Sequence, residues 1–220
     1  MTVQTMLMLL SKGFLTTLAI FALTLLGSLP LGILVYFGRV SKIKPIRWII
    51  NVYISIMRGT PLMLQLMVVF YGPNLLLGLS VPSQWRFMAC VLAFVINYAA
   101  YFAEIYRGGI ESISPGQYEA AEVLGYTKGQ TFIKIILPQM VKNCLPSVTN
   151  EVITLVKDTS LAYAIGTVEI FTRAKQIVTA PNINFHSMLP FLVAGIFYYI
   201  FNYIVAIIME RCEKSLDYYH

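Results

Sequence analysis

Four oxygen-bearing side chains, Ser147, Glu151, Thr154 and Asp158, recur at intervals of four, three and four within an otherwise apolar stretch. Wound as a helix, those intervals put all four on one face. Asn143, Asn150 and Lys157 flank the same side and widen it into a polar arc. Ionisable groups inside an apolar segment are costly, and they face a cavity, a partner or one another. The chemistry available to such a stripe is recognition: Glu151 or Asp158 would contact a solute's amine, and Asn150 or Thr154 would hydrogen-bond its polar groups. A local alternative covers part of the pattern, because Lys157 and Asp158 can neutralise each other or pair with Arg58 near an interface.

Arg58-Gly59-Thr60-Pro61 is a second candidate. Arg58 carries a fixed positive charge that can hold a carboxylate by two parallel hydrogen bonds. Gly59 and Pro61 permit local irregularity, which frees backbone groups to meet a ligand. From the first turns of a span, the same arginine can instead reach the headgroups or act as a gate. Glu104 and Arg107 stand three apart, as a local helical ion pair would.

A third pattern, EAAEVLGYTKGQTFIKIILP, runs from Glu119 to Pro138 and carries charge spread evenly between apolar neighbours. Ala120 and Ala121 favour helix and leave little bulk, so another protein can approach the backbone closely. Gly125 can take backbone angles closed to alanine, letting one short helix end and another begin. Pro138 is expected to break or bend the chain before the next apolar segment.

The elements that must hold these groups are membrane spans. Of 220 residues, 58% are hydrophobic and only 12% charged, where a soluble domain carries about 25%. The mean hydropathy is +0.72. The expected fold is an all-α membrane protein with about five transmembrane helices, over Phe14–Phe37, Val52–Tyr71, Arg86–Tyr106, Asn143–Ile165 and Leu189–Met209. Gly72-Pro73-Asn74 is read as the turn ending the second. Trp85, Tyr98, Tyr101 and Tyr106 are read as interfacial residues of the third. Arg39, Lys42, Lys44 and Arg47 follow the first span without one acid, so that loop is cytoplasmic, the N-terminus outside and the C-terminus inside. The Glu119–Pro138 stretch then falls on the cytoplasmic side, by charge alone. The chain reads as one domain, 1–220, with a cytoplasmic loop at about 111–138. An outer loop at about 166–188 is expected to carry a short helix and a turn at Pro181-Asn182. The N-terminal segment lacks a basic region and a cleavage site, so its apolar run is expected to stay as a span.

The net charge of +6 is a topological signal, and nucleic acid is not an expected partner because the basic residues sit beside apolar spans. Cys90, Cys144 and Cys212 form no metal-ligand pattern and read as buried thiols; His186 and His220 are isolated. There is no phosphate-binding G-x-x-x-x-G-K-[ST] run, nucleophile elbow or H-E-x-x-H. No catalytic residue, metal site or bound cofactor is expected.

Glu119-Ala120-Ala121, Gly125 and Ile135-x-Leu137-Pro138 have a spacing that resembles the EAA loop of the membrane subunits of ABC importers. MRGTPLMLQLMVVFYG (57–72), YFAEIYRGGIESISPGQYEAAEVLGY (101–126), IKIILPQ (133–139) and NEVITLVKDTSLAYAIG (150–166) resemble permeases of the polar amino-acid uptake branch. The first and fifth spans match only in hydrophobicity and position. The resemblance implies a type I ABC importer transmembrane fold in a bacterial inner membrane. It implies alternating access driven by ATP-Mg on separate ABC ATPase subunits, with a second permease subunit, identical or paralogous, completing the pathway. A soluble substrate-binding protein would deliver a polar amino acid from outside. Carried over to this chain, Glu119, Ala120, Ala121 and Gly125 would seat in an ATPase groove. An ATP-independent secondary transporter or channel is the rival, but such proteins often carry inverted repeats, none is visible here, and that reading leaves the central loop unexplained. An intramembrane enzyme lacks its constellation, and an exporter or scaffold subunit would use the same fold for another purpose.

Overall fold

The computed structural model describes residues 2–82, 84–180 and 188–216, and among these every regular element is helical. Helix α1, Val3–Arg39, begins well before the expected Phe14, with the Thr2 side chain accepting from the Thr5 amide at 3.2 Å. At about 1.5 Å per residue it is longer than the roughly 30 Å of hydrocarbon it would cross. Its buried residues, Met6, Leu10, Gly13, Thr17, Ile20, Thr24, Ser28, Gly32 and Val35, recur every three or four positions and are mostly small. Small side chains let backbones come close. A methyl group on Gly32 would stand 2.9 Å from Phe102 Cβ, which shows how tightly α4 packs there.

Helix α4, Trp85–Glu111, is the centre of the bundle, with α1, α2, α3 and α7 against it. Phe94, Tyr98 and Phe102 are fully or almost fully buried, and Ala93, Ala99, Ala100 and Ala103 give the neighbours room.

The expected second span is two helices, α2 (Lys44–Gly59) and α3 (Leu62–Leu75), bent by 112°. Thr60 is extended at φ −124°, ψ 150°, as a residue before proline prefers, and Pro61 has no N–H for a helical bond. Gly72-Pro73-Asn74 does not end α3; the chain turns later, at Gly78, where φ is 63°.

Next come α5 (Pro115–Val123) and α6 (Lys128–Thr131). A π-helical turn, Phe132–Ile136, leads into α7 (Leu137–Asp158). Thr131, Phe132, Ile136 and Leu137 all hold right-handed helical angles, so Lys128 to Asp158 is one unbroken rod. Pro138 therefore does not break the chain. It lacks a donor and its ring crowds the carbonyl four residues back, and the preceding turn widens around it, with the Leu137 amide bonding to Phe132 O.

Asp158 passes into a 3-10 helix, Thr159–Ile165, closed by Gly166 at φ 72°. Helix α8, Ile170–Thr179, follows, with the fully buried Glu169 capping it. The short helix expected in the 166–188 stretch is present, but it is packed into the bundle: Ile170, Ala174 and Ile177 cluster with Met6 and Leu10 of α1 and Ala194 of α9 (Leu189–Ser215). Pro181-Asn182, His186 and His220 lie outside the described residues.

Among the described residues α1, α4 and α9 are each long and apolar enough to cross a membrane, and the bent α2–α3 pair is a fourth such unit. The remaining expected span, the fourth in chain order, falls largely on α7, which is long enough at 22 residues, but its polar stripe keeps it out of that class.

Candidate solute path and docking segment

Ser147, Glu151, Thr154 and Asp158, together with the flanking Asn150, all fall on α7, and their spacing confines them to an arc of about 100°. The opposite side of the helix carries the buried Cys144, Val152, Leu155 and Val156. Ser147 and Asn150 are exposed, while Glu151, Thr154 and Asp158 are half-buried. One side of α7 thus packs against α4 and α9 and the other stays open and polar.

A groove of about 450 Å³ lies between α7, α4 and the end of α2. Ser147 and Glu151 line it from α7, Tyr101 and Glu104 from α4, and Arg58 from α2. Of the expected path residues, then, Arg58, Ser147 and Glu151 share one cavity. Asp158 lies farther along, about 16 Å up the helix from Ser147, where Tyr98 Oη donates to its Oδ2 at 2.8 Å. Asn150 and Thr154 share the stripe without lining the groove.

Arg58 neither pairs with Asp158 nor stands free. It reaches Glu104 Oε2 at 3.4 Å and lies over the Tyr101 ring, 5.5 Å from its centroid. The Glu104 carboxylate, 12% exposed, also holds Arg107 at 3.1 Å and Arg39 from the end of α1. Arg107 bridges on to Glu111. The expected Glu104–Arg107 pair is present, but it is part of a hub in which one carboxylate ties α1, α2 and α4 together. The sequence carried no local signal for the Arg39 and Arg58 contacts, which join residues distant in the chain. Lys157 is exposed and makes no ion pair among the described residues, so the local alternative of a Lys157–Asp158 pair is not formed as a contact, and the Asp158 carboxylate accepts from a tyrosine hydroxyl.

The tyrosines of α4 are a second correction. Tyr98 is 2% exposed and Tyr106 donates to Leu29 O at 3.2 Å, so neither is interfacial; the central position of α4 encloses both. Cys90 and Cys144 are buried as expected, but Cys212 is exposed near the end of α9.

The Glu119–Pro138 stretch has a different construction. Helix α5 ends in a left-handed glycine, Gly125 at φ 78°. The Tyr126 amide bonds back to Ala121 O at 3.0 Å and the Gly125 amide to Glu122 O at 2.9 Å, the two bonds of a Schellman turn. Thr127 and Gln130 then form a reciprocal capping box that starts α6. Glu119 and Ala120 face outward, whereas Ala121 is 1% exposed. A close approach by another protein is therefore open at Ala120 and closed at Ala121, whose small side chain serves packing within the chain. Sequence reasoning passed over Val123 and Leu124, which are 88% and 72% exposed beside Gly125. Their signal is two consecutive large apolar residues directly before a turn glycine. Gln139 Nε2 reaches Gln117 Oε1 at 3.1 Å, tying α5 to the base of α7.

Residues 27–218 match the family model described as "Binding-protein-dependent transport system inner membrane component". The arginine transport system permease protein ArtQ of Bacillus subtilis is 38% identical over 93% of this chain and 91% of its own. The L-cystine transport system permease protein TcyB of the same organism is 35% identical over 96% and 87%. The putative glutamine transport system permease protein GlnP of Rickettsia bellii is 36% identical over 93% and 91%. A chain from the crystal structure of an amino acid ABC transporter with histidines superposes with a TM-score of 0.84 at 31% identity, covering 98% of this chain and 100% of that one. A chain of the MetNI methionine ABC transporter in an inward-facing conformation gives 0.73 at 21% identity, which speaks for the fold alone. The chain belongs to the family of inner membrane components of binding-protein-dependent transport systems, the ABC permeases, and is a multi-pass membrane protein.

Proposed function

From that membership, we propose that this chain is the non-catalytic, membrane-spanning subunit of an ATP-driven importer that moves a polar amino acid into the cytoplasm by alternating access. The observation that carries the proposal is the unbroken rod from Lys128 to Asp158, which begins beside the exposed Val123–Leu124 turn and ends in the polar stripe along the groove. A displacement applied at the turn has a rigid route to Ser147, Glu151, Thr154 and Asp158. Two ABC ATPase subunits binding ATP-Mg would supply that displacement, with Glu119, Ala120 and Gly125 at the contact and Ala121 bracing it from within. The open face of α7 leaves a polar wall for a second permease subunit, identical or paralogous, to complete.

The segment from Arg39 to Arg47, basic and free of acids, supports a cytoplasmic position for α5 and an outside N-terminus. An extracytoplasmic binding protein would then deliver solute to the opposite end. Glu151 in the groove and Asp158 beyond it suit a solute amine, and Arg58 suits a carboxylate. Relatives named for arginine, cystine and glutamine support a polar amino acid as cargo.

The test is uptake of labelled amino acids into proteoliposomes holding the permease with its ATPase. Uptake that requires ATP and is lost in Gly125→Asp is the expected result. Uptake that persists without ATP, or that Gly125→Asp leaves intact, refutes the reading.

A further inference from the structure

The bend between α2 and α3 leaves backbone carbonyls without helical partners in a chain that crosses a membrane, where an unpaired carbonyl is costly. Two side-chain amides take them up. Gln65 Nε2, one turn into α3, donates to Met57 O at 3.0 Å, Thr60 O at 3.2 Å and Thr60 Oγ1 at 2.8 Å. Asn97 Nδ2, from α4, donates to the same Met57 O at 3.0 Å and to Gln65 Oε1 at 2.9 Å. One carbonyl thus receives one donor from α3 and one from α4, and the two amides are bonded to each other. Asn97 is 4% exposed, so its donors have no water to turn to.

The next residue after Met57 is Arg58. Its two contacts on α4, Tyr101 and Glu104, stand four and seven residues after Asn97 and so share a face with it. The amide pair and the arginine therefore hold the end of α2 against one strip of α4, the amides by its backbone and the arginine by its head. We propose that Asn97 and Gln65 are a positioning pair, an amide clamp that pins the end of α2 to α4 and thereby sets where Arg58 stands in the groove. The proposal rests on the reading of this groove as the solute path. With the clamp opened, the Met57 carbonyl loses its donors and the start of the Arg58 side chain is no longer fixed. The guanidinium is then free to leave Glu104 for Glu151, which lines the same groove.

The test uses the permease assembled with its ATPase, wild type and carrying Asn97→Leu, Gln65→Leu, Arg58→Gln, or Asn97→Leu with Arg58→Gln. Maximal ATP-dependent uptake and backbone hydrogen exchange across residues 58–64 are read together. Asn97→Leu and Gln65→Leu are each expected to lower uptake about tenfold, the scale of one lost hydrogen bond inside the bundle, and to speed exchange across 58–64. The double variant is expected to transport no worse than Arg58→Gln alone, because the clamp acts through that arginine. Losses that multiply in the double variant overturn the proposal, as does unchanged exchange in both clamp variants. Gln65 is half-buried, so Gln65→Leu keeps the test decisive if Asn97→Leu fails to fold. If the wild-type assembly shows no ATP-dependent uptake, the transport reading falls, and exchange across 58–64 alone rules on the clamp.

Discussion

The docking segment and the groove solve opposite problems with opposite means. In the segment from Pro115 to Thr131 the shape is fixed by backbone caps: the Schellman bonds at Gly125 and the Thr127–Gln130 box. That leaves Glu119, Val123 and Leu124 uncommitted and exposed. In the groove the charged side chains are themselves the fastening. Arg39, Arg58 and Arg107 all end on Glu104, and beyond the groove Asp158 ends on Tyr98. Glu151 is the groove carboxylate outside that hub. A surface built on backbone caps can offer its side chains to a partner, whereas a site built on side-chain pairs keeps most of its charge for itself.

Four substitutions probe that contrast, from the largest expected effect to the smallest. Gly125→Asp places a side chain at φ 78°, a strain of about 1–2 kcal/mol, too little to unfold the chain. ATP-dependent uptake should nonetheless fall below detection while the spans stay folded by circular dichroism. Glu104→Gln should do the reverse. It leaves three guanidinium groups without their shared carboxylate and should cost roughly 3 kcal/mol, seen as a lower melting temperature, with uptake reduced about tenfold. Glu151→Gln should leave melting unchanged and raise the apparent KM for a cationic amino acid about tenfold over that for a neutral one, the size of one charge-assisted contact. Equal KM changes for both would remove Glu151 from the path. Tyr98→Phe removes only the hydroxyl bonded to Asp158 and should cost about 1 kcal/mol of stability. A large transport defect there would mean that Asp158 needs Tyr98 for function as well as for burial.

The docking segment was more legible in the sequence than the groove, and the contrast explains why. Caps and turns are local: Gly125 and the short helices on either side of it lie within a few residues of one another, so their order can be read directly. The α7 stripe was legible for the same reason, since its intervals are those of one helix. The hub was not, because Arg39, Arg58 and Glu104 come from three helices whose crossing no single segment encodes. The tyrosines of α4 misled because tyrosine suits an interface and also a buried site with an acceptor, and only the packing of α1, α3 and α7 around α4 selects the second. Pro61 and Pro138 mark the same limit. Pro61 read as a local irregularity within one span and Pro138 as a break, yet the chain bends by 112° at the first and runs on as helix through the second. The difference lies in what surrounds them: an extended Thr60 held by Gln65, with Asn97 holding the Met57 carbonyl beside it, against a turn free to widen.

That widened turn makes the rod behave like a screw whose thread slips by one step. Each residue of an α-helix advances the azimuth by about 100°, and the π-helical turn at Phe132–Ile136 inserts one residue beyond the α-helical count. The direction in which Gly125 and its neighbours point, relative to the face bearing Glu151, is therefore indexed by that single surplus residue. Deleting one of Phe132 to Ile136 would let the thread run true and rotate the docking turn by about a quarter of a revolution, with every cap and every stripe residue still present.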